Sequence, residues 1–439
     1  MGKRLKNVWE KIIDKENLNK AYKLPKRGKK DKEYILNFER KRVERVNSLH
    51  NDLENKKYVV SKYMTEVIYE PKERILYKLP NYPDKVIQRA VINVIEPNIV
   101  NWLIPNTYAC IKKRGIHKAS DKAMEFIARN DFCLKCDIRK FYPSIDHDIL
   151  FSILCKKIGD PNLLWLLEQI VYSIGGGKNA PIGSLLSQHF GNIYMNEIDR
   201  FIVEQRGFND YERYCDDFLT FSNDKKKLRD LRFRIIDFAG EKLKLDLSKD
   251  DIFKYSQGVD FMGYRHFRGY RLLRKSTAKK IKKRVPAVTE KFENGLISQE
   301  KFRSVIASTW GWASKANCKN FIEKTGLEHL KELSMVDFSK ICDERDKNLR
   351  KVKGDKVDIK DWLNKPIKIS YFKISKSNKK QGTNCMSVEF YYDGKAYMFF
   401  TGSPNLMYLI DKYLTPEMVE RGETLDATIV RKDGMLILA

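Results

Sequence analysis

Apolar positions along the chain change their period several times. Residues 7–13 and 34–49 place apolar side chains at helical spacing inside a Lys-rich opening stretch. From about 66 to 270, short apolar runs of strand length alternate with amphipathic helical segments. Residues 271–345 read as helices that begin on the very basic KSTAKKIKKR. The stretch DERDKNLRKVKGDKVDIKD has no apolar period and reads as a charged linker. Beyond it, IKISYFKIS, MSVEFYYDGKAYMFF and DATIVRKDGMLIL alternate as strands, with Asp-Gly turns expected at Asp393–Gly394 and Asp433–Gly434. This order predicts an α+β protein in five parts: a basic helical extension (1–65), a mixed segment (66–270), helices (271–345), a linker (346–365) and a β-rich C-terminal domain (366–439).

Composition narrows the classes. The 439 residues carry 85 Lys and Arg against 58 Asp and Glu, a formal charge of +27, which favours a polyanionic partner. With 42% hydrophobic residues the chain can build real cores, which excludes a disordered or collagen-like protein. No apolar run reaches the ~18 residues of a membrane span. The basic start MGKRLKNVWE leads into polar residues, so no secretion and a cytoplasmic location are expected. Cys133 and Cys136 form a lone CxxC in the strand-like FCLKCDI, with no second pair at zinc-finger distance, so both thiols are expected to pack.

The candidate chemistry lies in the second segment. In YERYCDDFLTFS, two apolar half-strands meet at Asp216 and Asp217, which suggests a hairpin whose tip presents carboxylates. Two like charges this close are costly unless cations neutralise them, and a pair of Mg²⁺ ions is the usual device for phosphoryl transfer. Alone, the motif fits a solvated turn as well. A second source is CDIRKFYPSIDHDIL: Asp137 ends an apolar strand and could share ions with the hairpin. Asp146 and Asp148 follow the Pro and read as helix caps. Tyr142 could stack under the sugar of an incoming nucleotide, or be a core aromatic. The third element, APIGSLLSQHFGNIYMNEIDRFI, is a Gly-bearing turn feeding a helix with Ile193, Ile198 and Phe201 as its buried stripe. Lacking a side chain, Gly183 would let a base or sugar approach. The upstream GGGK (175–178) is followed by Asn179 rather than Ser or Thr, which rejects a P-loop.

In this order and spacing the three blocks resemble the palm of reverse transcriptases, over about residues 66–340. The Asp137 strand resembles motif A, the Gly183 turn and helix motif B, and Tyr214-Cys215-Asp216-Asp217 the YxDD box of motif C, with Cys215 where Met, Ala or Val is usual. GVDFMGYRHF resembles the primer-grip hairpin (Phe261, Met262, Gly263, Tyr264), IASTWGWASKAN the first thumb helices, and NTYACIKKRGIHKA the part of the fingers that grips triphosphate. The resemblance implies a right-hand polymerase: fingers, a palm with an antiparallel sheet, and a helical thumb. Group II intron and retron enzymes usually carry Gln before the motif B Gly. Here Ile182-Gly183 followed by Ser187-Gln188, with Lys-x-Arg-Gly-x-His before motif A, resembles the reverse transcriptases of bacterial and phage diversity-generating retroelements.

That resemblance implies error-prone copying of a template-repeat RNA into cDNA, with errors opposite adenine, to diversify a target gene. It implies dNTP substrates and a small basic accessory variability protein, a pentameric barrel, as partner. Asp137, Asp216 and Asp217 are then the catalytic carboxylates. Two Mg²⁺ ions, with Mn²⁺ as the alternative, would be held by Asp137, Asp216 and the Ile138 carbonyl, with Asp217 closer to a supporting role. Lys113 and Arg114 are candidates for triphosphate contacts, their alternative being a solvated basic loop. Tyr142, Ile182, Gly183 and Gln188 would surround the nucleotide, Ile182 and Arg74 would bear on fidelity, and Lys249, beside Asp250 and Asp251, is the candidate general acid. Other branches remain open at this point: a retron, group II intron-like or abortive-infection polymerase, or a non-catalytic RNA-binding scaffold.

Overall fold

The computed structural model describes residues 4–23, 41–69, 73–335, 352–376, 384–432 and 435–439. The chain divides into two compact units, Met1–Met262 with His266–Gly269, and Gly263–Arg265 with Tyr270–Ala439.

The first unit is built on a four-stranded antiparallel sheet. Its strands are β3 (Phe132–Ile138), β4 (Tyr211–Tyr214), β5 (Asp217–Ser222) and β6 (Leu247–Lys254), in the order β4-β5-β3-β6. Alternation along each strand gives the sheet two different faces. On one face Leu134, Cys136, Tyr211 and Phe218 are buried in the same core as Ile193 and Ile198 of helix α8 (Leu185–Arg200) and Leu228, Leu231 and Ile235 of α9 (Lys225–Leu243). Full burial of a side chain such as Phe218 contributes about 2–3 kcal/mol. On the other face Cys133, Leu219 and Phe221 pack with Ala119, Ala123 and Phe126 of helix α5 (Ile116–Arg129). Cys133 and Cys136 therefore point to opposite faces and cannot share an ion.

Three N-terminal helices, α1 (Trp9–Ile13), α2 (Lys15–Lys23) and α3 (Arg42–Glu54), join the larger core through Trp9, Ile12, Leu18, Tyr22, Leu49 and Leu53, beside α4 (Val86–Trp102). The 34–40 part of the expected helix lies outside the described residues. Asp160 fastens this corner: its carboxylate accepts the amides of Val8 and Trp9 at 2.9 and 3.0 Å and caps the helix α7 (Pro161–Val171). As expected, Asp146 caps the helix α6 (His147–Lys157) by accepting from the Ile149 amide, while Asp148 accepts from the Tyr172 hydroxyl instead. A largely exposed hairpin, β1 (Met64–Tyr69) and β2 (Glu73–Lys78), stands upstream of α4.

The second unit begins in a three-stranded meander, β7 (Val259–Phe261), β8 (Tyr264–Phe267) and β9 (Tyr270–Leu273), through which the division between units runs. Helices α10 (Lys275–Glu293), α11 (Gln299–Ala313), α12 (Lys319–Thr325) and α13 (Leu327–Met335) follow, then a six-stranded sheet. The helices and this sheet share one core, in which Ile281, Phe302, Ile306 and Leu330 lie with Ile369, Phe390, Phe399 and Ile410. Asp393 and Gly394 both take positive φ (49° and 72°) in the turn between Asn384–Tyr392 and Lys395–Thr401, as an Asp-Gly hairpin turn requires. Asp433–Gly434 lies outside the described residues. Among the described residues no helix is long and apolar enough to cross a membrane.

Candidate active site

The β4–β5 hairpin closes in two residues. Tyr214 pairs with Asp217, leaving Cys215 and Asp216 as the turn, and Cys215 takes φ 60°. A non-glycine residue rarely adopts that conformation unless its surroundings enforce it. Arg213 supplies the enforcement. Fully buried, it donates from Nη1 to the Cys215 carbonyl at 2.9 Å and to Asn192 Oδ1 at 3.0 Å. Its Nε and Nη2 fork onto the buried Asp199 at 2.8 Å each, and the Tyr211 hydroxyl donates to the same carboxylate at 2.6 Å. A buried guanidinium is tolerable only with its donors matched in this way. The hairpin tip is thus bolted to α8, the helix that follows Gly183.

Register places the carboxylates side by side. Asp137 on β3 lies directly opposite Asp217 on β5 and opposite Lys249 on β6, so the three share the α5-facing side of the sheet. The Ile138 amide donates to the Asp216 carbonyl at 3.3 Å, stitching the strand end to the hairpin tip. Asp137 Oδ2 accepts from the Ser248 hydroxyl at 2.5 Å. Burial, and then the charge of Asp137, push the Asp216 carboxyl above its ordinary value, with the Arg74 guanidinium pulling the other way. Burial pushes Asp217 up to about 6, against the Lys135 ammonium 3.1 Å from its Oδ2. Asp217 Oδ1 is buried without a hydrogen-bond partner. Burial and mutual repulsion both disfavour the charged forms here, and an arriving cation would offset both.

Among the described residues no three acidic, thiol or imidazole groups converge as a metal-binding cluster. Magnesium does not require one: it is commonly held by one or two carboxylates together with substrate phosphates. The neighbouring Asp137 and Asp216 fit that mode.

Around the carboxylates, Tyr142 is half-buried, with its hydroxyl 3.7 Å from Cys215 Sγ and its ring against Gly191 of α8. Gly183 has φ 113°, and a Cβ there would stand 2.7 Å from the Tyr77 carbonyl of β2. Its lack of a side chain admits the β2 backbone, whose Tyr77 amide donates to the Ile182 carbonyl at 2.7 Å. Ile182 is half-buried and Gln188 exposed, while Gln88 of α4 accepts from the Ser184 hydroxyl and the Leu185 amide, capping α8. Arg74 sits on β2, within electrostatic reach of Asp216. Lys113 is exposed with φ 62°, and Arg114 spends Nη1 on the carbonyls of Pro105 and Thr107 at 2.8 and 2.6 Å, bracing its own loop. Lys249 is exposed. Phe261 is fully buried and Met262 packs beside it in the first unit. In the second, Gly263 has φ 78° with the Trp312 ring where a Cβ would go, and the Tyr264 hydroxyl donates to the Trp312 carbonyl at 3.0 Å. Lys135, Arg213, Asp199 and Ser248 escaped the motif reading. Lys135 had a signal, since two residues before Asp137 on a strand means the same face.

An antiparallel sheet carrying a strand-end Asp opposite a two-Asp hairpin tip, with a glycine turn and helix beside it, matches the arrangement expected of a nucleotidyl-transferring palm. Residues 66–266 match the family model for reverse transcriptase (RNA-dependent DNA polymerase), and the α+β fold, with a further β-rich piece toward the C-terminus, accords with that match. Residues 353–433 match a domain of unknown function (DUF8468). Over 162 residues the chain is 24% identical to the group II intron-encoded protein LtrA of Lactococcus lactis subsp. cremoris, and equally to that of its strain MG1363. That match takes in 34% of this chain and 27% of the relative, so the chain spans about a quarter of the length of the curated relatives it matches. A solved telomerase from Candida albicans, in complex with a fragment of telomeric RNA, aligns at 12% identity with a TM-score of 0.40, over 64% of this chain and 61% of that one.

Proposed function

We propose that the chain synthesises cDNA on an RNA template, and that it does so as the error-prone polymerase of a diversity-generating retroelement. Asp137 and Asp216 would hold the catalytic ions, Mg²⁺ or Mn²⁺. When bound, such ions acidify the primer 3′-hydroxyl and neutralise the triphosphate. Asp137 is oriented for this by the Ser248 hydroxyl, and Asp216 by the turn that Arg213 secures. Arg74, close enough to Asp216 to stabilise its charge, is available to the triphosphate as well as to the template base. Tyr142, held between Gly191 and Cys215, is suited to exclude a ribose 2′-hydroxyl. The basic surface would follow the nucleic-acid backbone without reading sequence, and a small basic accessory protein would supply template specificity.

The observation that carries the retroelement reading is Ile182. It stands next to Gly183 where accurate relatives place Gln, and it offers no donor or acceptor to the nascent pair. One such polar contact contributes ~0.5–1.5 kcal/mol, enough to change a misinsertion ratio roughly three- to tenfold. The test is single-nucleotide insertion opposite each RNA base. The parent should misinsert most opposite adenine, and Ile182→Gln should lower that error while correct insertion stays within a few-fold. Low and even errors in the parent would refute the retroelement reading and favour the second one, a group II intron-like or retron enzyme, to which the LtrA likeness points.

A further inference from the structure

Lys135 is the side chain that the polymerase reading leaves without a task. It lies on β3 two residues before Asp137, mostly buried, with its side chain 11% exposed. Its Nζ stands 3.1 Å from Asp217 Oδ2 and 2.5 Å from the Asp260 carbonyl on β7, and 5.8 Å from the centre of the Phe261 ring. One ammonium therefore joins three separate stretches of chain: the strand bearing Asp137, the tip of the β4–β5 hairpin, and the strand that enters the primer-grip turn. A lysine moved this far from water is tolerated only where its charge and its protons are matched, and here a carboxylate and a carbonyl match them.

We propose that Lys135 is a positioning residue that claims Asp217 for the primer terminus and keeps it from acting as a third ion ligand. This rests on the polymerase reading and assigns the two carboxylates of the hairpin different work. Asp216, at the turn, faces Asp137 and the ions. Asp217, with one oxygen on the ammonium and the other unpartnered, is held at the height of Asp260 and Phe261. The fixed positive charge also offsets part of the repulsion among three neighbouring carboxylates, and it lowers their pull on a cation.

The test compares full-length parent, Lys135→Met, Lys135→Gln, Lys135→Arg, Asp217→Asn and the double variant Lys135→Met/Asp217→Asn. First, Mn²⁺ is titrated into the nucleotide-free chain and followed through the paramagnetic signal of the free ion. Removing the ammonium should tighten Mn²⁺ binding roughly three- to tenfold, while Lys135→Arg stays near the parent. Second, steady-state extension should show Lys135→Met raising KM for the primer-template and lowering kcat about tenfold or more, with Lys135→Arg partly restoring both. Third, the double variant should extend no more slowly than Asp217→Asn alone, because Lys135 acts through Asp217. A merely structural lysine would weaken Mn²⁺ binding and extension together with the melting temperature. That result, or additive effects in the double variant, would overturn the proposal, and Lys135→Gln decides should Lys135→Met fail to fold. An inactive parent would instead count against the polymerase reading.

Discussion

Glu212 should make the palm more stable in acid than at neutral pH, and its replacement by Gln should remove that dependence. The residue sits on β4 opposite Leu219, wholly buried, and neither carboxylate oxygen has a hydrogen-bond partner. Burial raises its carboxyl well above the ordinary value of 4.5, with Lys122 opposing and the charges of Asp217 and Glu125 adding to the rise. A carboxyl whose folded value lies above its unfolded one contributes stability that is complete below about pH 4.5. That contribution is lost as pH climbs toward the folded value, at about 1.4 kcal/mol per pH unit. The loss sets in as pH rises from about 5 toward neutrality. Glu212→Gln keeps the shape and cannot ionise, so the variant should gain on the parent steadily over the same interval. Native-state hydrogen exchange of the β4 and β5 amides at pH 5, 6 and 7.5, corrected for intrinsic rates, reads the opening free energy of this sheet apart from the second unit. Equal pH slopes in parent and variant would refute the reasoning, since they would mean that the carboxyl finds a partner or a route to water.

Tyr142→Ala should raise ribonucleotide use relative to deoxyribonucleotide use by roughly ten- to two-hundredfold, the range open to one steric contact. Tyr142→Phe should leave the ratio unchanged, and an unaltered ratio in the Ala variant would make the ring ordinary packing against Gly191. Gly183→Ala, which drives a Cβ toward the Tyr77 carbonyl at a φ of 113°, should cost about 1–3 kcal/mol and detach β2 from the Ile182 carbonyl. Nucleotide incorporation should fall with it, and a variant with parental melting temperature and turnover would show that the hairpin adjusts freely.

What could be read from the sequence was what local pattern encodes. The half-strands around Cys215-Asp216 announced their hairpin, the FCLKC run its strand, and Asp146 its cap, because each depends on neighbours a few residues away. One reason for Gly183 was not legible. The turn was expected to open space for a base, and it also makes room for the carbonyl of Tyr77, more than a hundred positions upstream. Arg213 and Asp199 went unremarked for the same reason. Only the fold of β4 against α8 makes them a buried pair. Nor does any period in the sequence announce that helices 275–335 share a core with the C-terminal sheet, since each half looks amphipathic by itself.

The central claim, that Asp137 and the hairpin carboxylates carry polymerisation, is tested most directly with Asp216→Asn. Extension of a DNA primer on an RNA template and equilibrium binding of the same RNA should be measured on one preparation. The account predicts extension reduced by roughly a thousandfold or more, with RNA affinity within about twofold of the parent, because one ligand charge is lost and the basic surface is untouched. Extension at near-parental rate by Asp216→Asn would contradict it.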